Sequence, residues 1–396
     1  MSGNPGVMAR LGKGFLYLVY LLASTLIVLL ILEGGLRLAA RVGGPAAETA
    51  DPRITADAFA GEDWVKECFR EISDISMVWQ SYVYWRGAEF HGSCVNIDKS
   101  GVRRSWNPTC PATKKKTKIF MFGGSTLWGF VARDDFTIPS VVSRVLSETG
   151  GACAEVTNFG ETGYVITQEV IALMRLLEKG ERPDMVIFYD GVNDVFSAFQ
   201  NEVAGLPQNE INRRAEFNIL SANTMTLLKT FVPILIKRTQ IYKTLRAIAT
   251  GRKDSEEGGW AMGHTGLKIE ATTAERLAGE VARNYAANLE VVDALARKYG
   301  FVALFYWQPT IFRKDKPTPY EAEIVNRMKG LKGPFLKVYN AAAESQEVSQ
   351  TRGFHDLSRI FADIDRPVFI DFCHISEKGN EIIGRRIATD VLSIVK

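Results

Sequence analysis

One serine, one histidine and one aspartate stand in sequence contexts that could support nucleophilic catalysis. Ser125 follows two glycines in the segment FGGST, and Asp371 precedes His374 by three residues in DFCHIS. A serine hydroxyl becomes an effective nucleophile only when a base takes its proton, and a carboxylate beside an imidazole base holds its tautomer and stabilises its cation. We therefore predict that Ser125 is the nucleophile, His374 the general base and Asp371 the carboxylate that orients it.

Two other segments carry donors that could stabilise an oxyanion. Asn193, in DGVND, would offer its side-chain amide, and a glycine N–H from NFGETG (158–163) would add a second donor. Loss of one such donor typically costs about 3–4 kcal/mol of barrier lowering. The neighbouring Asp190 and Asp194 are expected to be structural, one at the end of a strand and the other as a helix cap.

Each of these segments has a simpler interpretation when it is taken alone. Gly and Ser dominate turns, GVND could be an Asx-turn or a helix cap, and Asp371 with His374 could be a capping pair. Among the other histidines, His355 stays an alternative base, whereas His264 lies in an insertion and His91 in an N-terminal lobe. Catalysis is favoured because all four segments fall at one end of the same predicted sheet.

The sheet itself is predicted from short apolar runs that alternate with helical segments. The runs are continuous rather than alternating, which is typical of parallel strands covered on both faces. The pattern therefore predicts an α/β fold with a doubly wound parallel sheet, and ligands bind such sheets beyond the carboxyl ends of the strands. The predicted strands are residues 118–122, 154–159, 184–190, 301–307 and 367–371, and the predicted helices are residues 137–148, 165–179, 273–299 and 377–395.

A membrane anchor is predicted near the N-terminus. Phe15 to Leu32 is a run of 18 residues without a charge, and as a helix it would span about 27 Å, close to the hydrocarbon thickness of a bilayer. Arg10 and Lys13 precede it and favour a cytoplasmic N-terminus. A cleaved signal peptide and a buried core helix are the alternatives, and no clear cleavage site follows the run.

Once the anchor is placed, the rest of the chain can be divided into predicted segments. Its parts are a cytoplasmic N-terminus (1–14), the anchor (15–32), a tether (33–60), an irregular N-terminal lobe (61–116) and a catalytic domain (117–396) with a helical insertion (197–272). Within the insertion, residues 217–248 are apolar with scattered Lys and Arg. This pattern favours a lid packed on the core, and a basic amphipathic surface resting on the bilayer is the alternative.

Composition excludes several classes of protein. The 396 residues are 46% hydrophobic, which excludes a disordered chain, a collagen and a coiled coil. The net charge of +3 argues against a nucleic-acid binder that works by charge neutralisation. An oxidising compartment could pair two of the three clustered cysteines, Cys68, Cys94 and Cys110. No C-x-x-C or paired His–Cys spacing indicates zinc, so neither a metal nor a cofactor is expected.

In combination and in this order, the four segments resemble the sequence blocks of the SGNH (GDSL-like) hydrolase superfamily. FGGST matches the first block, with Ser125 as nucleophile, although the older G-D-S-L signature is not kept. Residues 158–163 match the second block, Gly191-Val192-Asn193-Asp194 the third and Asp371 to His374 the fifth. The resemblance implies that Gly163 supplies the oxyanion N–H and that Gly160 is a turn glycine. It covers about residues 117–194 and 300–396.

This resemblance also implies a three-layer α/β/α, flavodoxin-like fold with serine ester chemistry. Anchored members with an outward-facing domain resemble enzymes that act on acyl groups of extracellular glycans. We therefore expect an esterase that removes acyl groups, above all O-acetyl groups, from an extracytoplasmic glycan. Acyl transfer onto a cell-surface polysaccharide, a lysophospholipase and a non-catalytic envelope scaffold are the alternatives. Residues 95–104 (VNIDKSGVRR) and Gln308-Pro309 also resemble features of anchored members, without a catalytic role that the sequence reveals.

Overall fold

The computed structural model describes residues 5–42, 51–111, 113, 116–150, 153–218, 224–250 and 269–395. The chain divides into two compact units, one formed by Met1–Ala50 with Ala215–Thr265 and the other by Asp51–Arg214 with Gly266–Lys396. After the predicted anchor and the predicted catalytic domain that they contain, we call the first the anchor unit and the second the catalytic unit. The predicted sheet and all four candidate segments belong to the catalytic unit.

The secondary structure elements are numbered in chain order. The helices are α1 Pro5–Val42, α2 Val65–Asp74, α3 Ser125–Trp128, α4 Ile138–Gly150, α5 Ile166–Glu178, α6 Val192–Asn201, α7 Glu210–Asn218, α8 Thr224–Lys237, α9 Gln240–Thr250, α10 Ala271–Tyr299, α11 Pro319–Arg327, α12 Lys329–Glu344, α13 Gln346–Ser349 and α14 Glu377–Val395. The strands are β1 Met77–Gln80, β2 Tyr84–Gly87, β3 Phe90–His91, β4 Asn96–Ile97, β5 Thr117–Gly123, β6 Ala154–Asn158, β7 Met185–Asp190, β8 Val302–Trp307 and β9 Phe354–Asp356. Short 3-10 helices add single turns between them.

Five parallel strands form the central sheet of the catalytic unit. Their order is β6-β5-β7-β8-β9, and every neighbouring pair is parallel. This is the flavodoxin-like order, in which the connection reverses direction between β5 and β7 and opens a crevice at their carboxyl ends. Every residue of β7 is buried, because helices flank the sheet on both faces. The predicted fold class and four of the five predicted strands are confirmed.

The fifth strand is not where the sequence predicts it. Residues 367–371 do not join the sheet, and the three-residue strand β9 pairs with β8 in their place. The backbone amides of Val368 and Phe369 both donate to Oε1 of Glu321, at 3.0 Å each, so they cannot take part in a strand ladder. The run is apolar because its side chains are buried in the core, and periodicity alone cannot distinguish a buried strand from another buried segment.

Two groups of helices flank the sheet. In one, α4 and α14 pack against each other, and in the other α10 packs against α5, α6 and α12. The predicted amphipathic stretch 273–299 corresponds to α10, which buries residues at helical spacing along its whole length and ends at Gly300 with a left-handed backbone. The helices predicted over 137–148, 165–179 and 377–395 correspond to α4, α5 and α14.

Two disulfide bonds brace the N-terminal part of the catalytic unit. Cys68 on α2 is bonded to Cys94, and Cys110 is bonded to Cys153 just before β6. Two of the three clustered cysteines are thus paired with each other, and the third pairs with a residue outside that cluster. Cys373 is the free thiol and is buried.

The segment predicted as a tether, residues 33–60, contains different kinds of secondary structure along its length. Helix α1 continues to Val42, residues 43–50 lie outside the described residues, and residues 52–59 form two turns of 3-10 helix in the catalytic unit. Within those turns Phe59 is buried, and it packs edge-to-face on Phe69 of α2. The segment from Asp51 onward is therefore part of the folded catalytic unit.

The anchor unit consists of helices. Phe15–Ala39, within α1, is long and apolar enough to cross a membrane, and none of it is buried. Helices α8 and α9 follow from the insertion, and α9 contacts α1. Residues 251–268, which include His264, lie outside the described residues.

Candidate active site

Ser125 lies where β5 passes into the short helix α3. Gly123 ends the strand, and a Cβ atom there would approach the Tyr189 carbonyl oxygen at 2.7 Å. A Cβ atom on Gly124 would come within 2.2 Å of Nδ2 of Asn193. A side chain at Gly123 would meet the backbone, and one at Gly124 would displace the Asn193 amide. The two glycines thus allow the close turn that places the Ser125 hydroxyl at the crevice between β5 and β7. The serine is 3% exposed.

A continuous chain of hydrogen bonds joins the serine, the histidine and the aspartate. Oγ of Ser125 lies 2.7 Å from Nε2 of His374, and Nδ1 of His374 lies 2.6 Å from Oδ2 of Asp371. An ionised carboxylate can only accept, so Nδ1 carries the hydrogen and Nε2 is left to accept from the serine hydroxyl. The geometry is that of a nucleophile, a base and an orienting carboxylate in series.

Asp371 and His374 are held by a tight turn rather than by a strand end. The Ile370 amide donates to the His374 carbonyl, at 3.0 Å. The amides of Cys373 and His374 both donate to Oδ1 of Asp371, at 3.0 and 2.8 Å. Because Oδ1 accepts from the backbone, Oδ2 is directed at the imidazole, which explains the three-residue spacing. The Phe130 ring packs on the imidazole at 4.6 Å between centroids.

The Asp371 carboxylate stays ionised in this environment. Burial opposes its ionisation, but the hydrogen bond and charge of His374 and the charge of Arg53 outweigh burial and hold the pKa of Asp371 well below its usual range. The carboxylate can therefore stabilise an imidazolium throughout the neutral pH range.

Asn193 and Gly163 border the same crevice. One hydrogen of the Asn193 amide is donated to the Tyr164 carbonyl at 2.8 Å, and the amide has a second hydrogen to offer. Its oxygen accepts from Nε2 of Gln208 at 3.3 Å, which fixes which way the amide faces. Gly163 has a left-handed backbone, with φ of 75°. A side chain there would be strained and would meet Gln208 and Trp85.

The rest of the loop 158–163 is fastened to the turn that carries the nucleophile. Nδ2 of Asn158 donates to the Trp128 carbonyl at 3.1 Å, and its oxygen accepts from the Gly160 amide at 3.0 Å. A Cβ atom on Gly160 would lie 2.7 Å from the Trp128 amide nitrogen, so the two backbones approach as closely as glycine allows. The loop and α3 thus form one rigid edge of the crevice.

Asp190 and Asp194 lie below the crevice with a third buried carboxylate, Glu169. Oδ1 of Asp194 accepts from the Ile166 amide at 3.1 Å, at the start of α5. Burial raises the pKa of Asp194 to about 6. Burial also raises the pKa of Glu169 and of Asp190 well above their usual values, with nearby carboxylates adding repulsion.

Sequence reasoning missed Arg53, which contacts the candidate triad directly. Its Nη1 lies 2.9 Å from Oδ2 of Asp371, the oxygen that also faces His374. Asp51 accepts from the same guanidinium at Nε and Nη2, at 2.9 and 2.6 Å. Arg53 lies 318 positions from Asp371 in a stretch that reads as a tether, and no local pattern marks it.

Arg103 gives a structural role to the segment 95–104. Its guanidinium is buried and donates to the carbonyls of Trp128, Gly129 and Ala132, and to Asp134 at 3.0 Å. Those carbonyls belong to the chain that follows the nucleophile. Burial lowers the pKa of Arg103, and the Asp134 charge acts against that shift. Arg103 therefore stabilises the turn that carries Ser125 by binding the carbonyls that follow it.

The alternative histidines are not joined to Ser125 by any hydrogen bond among the described residues. His355 lies in β9, where its ring stacks on Tyr306 at 5.0 Å and Nδ1 is 3.8 Å from Asp390. His91 is exposed beside Glu89. A cleft of about 470 Å³ lies near β4 and β6, and its lining includes His91 but neither Ser125 nor His374.

Comparison with known proteins gives remote structural likeness. No protein-family model matches the chain, and no curated protein matches it. Among solved structures, the chain is similar to an acetyl xylan esterase, AlAXEase, with 15% identity over 69% of this chain and 99% of that chain and a TM-score of 0.37.

Two further structures are similar to about the same degree. One is a member of the lipolytic protein G-D-S-L family from Veillonella parvula, with 11% identity, 70% and 99% coverage and a TM-score of 0.38. The other is Est24, a carbohydrate acetylesterase from Sinorhizobium meliloti, with 13% identity, 70% and 99% coverage and a TM-score of 0.36.

Proposed function

We propose that this protein is an SGNH-type serine esterase that hydrolyses acyl esters. The observation that carries the proposal is the unbroken chain from Oγ of Ser125 through His374 to Asp371, with steps of 2.7 and 2.6 Å. The supporting donors are the amide of Ser125 itself, the Gly163 amide and Nδ2 of Asn193. These groups belong to four separate segments, and a purely structural role for any one of them would not require the others.

In the first half of the reaction, Oγ of Ser125 attacks the ester carbonyl carbon while its proton moves to Nε2 of His374. The imidazolium is stabilised by Oδ2 of Asp371. The three N–H donors hold the negative oxygen of the tetrahedral intermediate. His374 then returns the proton to the departing alcohol oxygen, which leaves an acyl group on Ser125.

In the second half, water replaces the alcohol. His374 takes a proton from the water, the hydroxide adds to the acyl carbon, and the Ser125 oxygen leaves as it regains the proton from Nε2. The carboxylic acid is released, and no metal or redox partner takes part in these steps. If a glycan hydroxyl enters in the place of water, the same acyl-enzyme gives transfer, so we keep transfer as the second outcome for product analysis.

The proposed substrate is an O-acetylated or similarly acylated glycan outside the cytoplasm. A hairpin of β1 and β2 stands beside the Gly163 loop, because Nε1 of Trp85 donates to the Thr162 carbonyl at 2.9 Å. The hairpin presents Trp79 and Tyr82 to solvent, 69% and 66% exposed. Exposed aromatic rings beside an acyl-transfer centre suit the C–H faces of sugar rings.

The proposed location is a single-pass membrane protein with its N-terminus in the cytoplasm and the catalytic unit outside it. The apolar span Phe15–Ala39 and the preceding Arg10 and Lys13 support this orientation. The disulfides Cys68–Cys94 and Cys110–Cys153 support an oxidising compartment.

The deciding experiment compares Ser125→Ala with the unaltered full-length protein in detergent on a short-chain p-nitrophenyl ester and on an O-acetylated polysaccharide. We expect hydrolysis by the unaltered chain and a loss of at least about 10³-fold in the variant. Ser349→Ala, at an exposed serine on α13, and His355→Ala are the matched controls and should keep full activity. Activity that survives Ser125→Ala would refute the proposal.

A further inference from the structure

Helix α8 of the insertion exposes an extensive apolar surface. Six large apolar side chains along its 14 residues are each at least 43% exposed: Met225, Leu228, Phe231, Val232, Leu235 and Ile236. Leu245 and Ile248 extend this surface onto α9. Soluble surfaces rarely leave so many large apolar side chains together in water, so the surface requires an occupant.

The anchor helix is joined to this helical pair by the carboxylate of Glu33, whose side chain is 14% exposed. Oε1 and Oε2 of Glu33 accept from the amides of Gln240 and Ile241, the first two residues of α9, at 2.9 and 3.0 Å. A carboxylate within an apolar span is costly unless it is paired. The N-terminus of α9 supplies free amides and a favourable dipole, so α9 is positioned at the end of the span by a specific contact.

We propose that α8 and α9 are a second membrane-contacting element, whose apolar surface enters the lipid beside α1. The occupant is the bilayer because α9 packs against α1, the helix that carries the apolar span Phe15–Ala39, and α8 contacts α9. The side chains of Lys229, Lys237 and Lys243 are exposed on the same helices, and Arg238 is exposed in the turn between them. These basic groups suit anionic headgroups. At about 21 Å, α8 is too short to cross, so it lies within one leaflet.

This placement changes how the enzyme is held. Helices α8 and α9 are inserted in the middle of the chain, between β7 and β8, whereas α1 precedes the catalytic unit. The catalytic unit is then tethered to the membrane at two points of its chain.

The test uses the full chain in lipid nanodiscs with an environment-sensitive fluorophore attached to the cysteine of Leu235→Cys. A second probe is attached in Leu228→Cys, two helical turns earlier on the same face of α8. Ser349→Cys, exposed on α13 of the catalytic unit, is the matched control, and the unsubstituted chain gives the background from Cys373. We expect both α8 probes to be quenched by spin-labelled lipid and shielded from aqueous iodide, with the opposite result at residue 349.

Two outcomes would overturn the proposal. One is α8 probes that iodide quenches as strongly as the probe at residue 349 and that spin-labelled lipid does not affect. The other is shielding that appears only in discs loaded with two or more chains, since a second copy, and not lipid, would then cover the surface.

A different contact supports a second inference, which rests on the proposed esterase. Oδ2 of Asp371 lies 2.6 Å from Nδ1 of His374 and 2.9 Å from Nη1 of Arg53. The guanidinium also packs over the Phe130 ring at 4.7 Å, and that same ring contacts the imidazole. Arg53 therefore touches both the carboxylate and the aromatic wall that position the base.

We infer that Arg53 is a positioning residue that tunes the base through Asp371. Among the described residues, the charged groups that face the Asp371–His374 pair include Arg53 in the 3-10 turn and Asp51 just before it, which accepts from Arg53. Tyr320 on α11 and the Cys373 thiol also face it, and both stay neutral. The positive charge of the guanidinium beside Oδ2 offsets part of the carboxylate's attraction for the imidazolium.

The test is the pH profile of kcat/KM for Arg53→Met, with Arg53→Lys as the conservative variant. We expect the acid limb of Arg53→Met to move to higher pH by about one unit, and Arg53→Lys to restore most of that shift. Arg359→Met removes a distant surface ion pair with Asp315 and should leave the profile unchanged.

An acid limb that stays in place in Arg53→Met would refute the inference, whether or not total activity falls with stability. Failure of the esterase proposal is recognised separately, because Ser125→Ala would then retain activity while the Arg53 profile loses its meaning.

Discussion

The side-chain amide of Asn193 lies against Gly124, the residue before Ser125, so closely that a Cβ atom on Gly124 would come within 2.2 Å of Nδ2. These residues follow different strands, β5 and β7, which are adjacent in the sheet. The contact fixes the distance between the proposed nucleophile and the proposed oxyanion donor. It also means that a methyl group added at Gly124 would displace the Asn193 amide.

Gly124→Ala should therefore displace Asn193 and impair catalysis without unfolding the protein. We expect kcat to fall about 10²–10³-fold, the usual effect of losing one oxyanion donor. The measurement is kcat on a p-nitrophenyl ester, with folding checked by the thermal midpoint. Gly330→Ala is the control, since no atom lies within 4 Å of a Cβ placed there. A Gly124→Ala enzyme with normal kcat would contradict the proposed role of Asn193.

Asn193→Ala should lower kcat by a similar factor and leave KM nearly unchanged, because the donor acts mainly on the transition state. The double variant Gly124→Ala/Asn193→Ala should be little worse than either single variant, since both remove the same interaction. Asn212→Ala, at an exposed site on α7, is the control. Multiplicative losses in the double variant would indicate that the two residues act independently.

The sequence predicts most of the sheet because its central strands carry an unmistakable signal. β5 and β7 are continuous apolar runs, as burial between two helical layers requires. β9 escapes prediction because it has only three residues, none of them buried. The run 367–371 is misassigned because the carboxylate of Glu321, distant in sequence, holds its amides.

The same contrast between local and distant signals applies to the candidate site. The glycines around Ser125 and the spacing of Asp371 and His374 are local features, so the sequence shows them. Arg53 and Arg103 act through contacts that only the folded chain creates. Arg53 donates to a side chain 318 positions away, and Arg103 donates to carbonyls at least 25 positions away. Residue type alone does not distinguish such an arginine from one on the surface.

The buried carboxyl group of Glu169 should make the stability of the folded protein depend on pH in an unusual way. Its side chain is buried, and neither carboxylate oxygen accepts from a donor within the described part of the chain, so a proton on Glu169 can be shared only with the neighbouring Asp190 carboxylate. Burial, with repulsion from Asp190 and Asp194, raises the pKa of Glu169. The folded protein thus keeps a proton that the unfolded chain releases above about pH 4, so stability falls as pH rises from there towards the folded pKa.

Glu169→Gln replaces this carboxyl group with a neutral amide of the same shape. We expect its thermal midpoint at pH 8 to exceed that of the unaltered protein by a few degrees, at about 2–4 °C per kcal/mol, and the gain to vanish near pH 4. Thermal unfolding of the full chain in detergent at the two pH values measures this. Glu178→Gln, at an exposed site, should show no such dependence. A lower midpoint at both pH values would mean that the carboxyl makes bonds which the amide cannot replace.

The exposed hairpin predicts a separation between polymer and small-ester activity. Trp79 and Tyr82 lie on the β1–β2 ribbon, which is fastened to the Gly163 loop through Trp85 but makes no contribution to the catalytic hydrogen bonds. If the ribbon holds sugar rings, Trp79→Ala and Tyr82→Ala should raise KM for an acetylated polysaccharide up to about tenfold, the value of one aromatic stacking contact. Both variants should leave kcat/KM for p-nitrophenyl acetate unchanged, because a small ester does not reach the ribbon.

Tyr299→Ala, at a partly exposed tyrosine where α10 ends, is the matched control. Equal losses on both substrates would show instead that the ribbon supports the oxyanion loop, and no loss on either would remove it from the binding site.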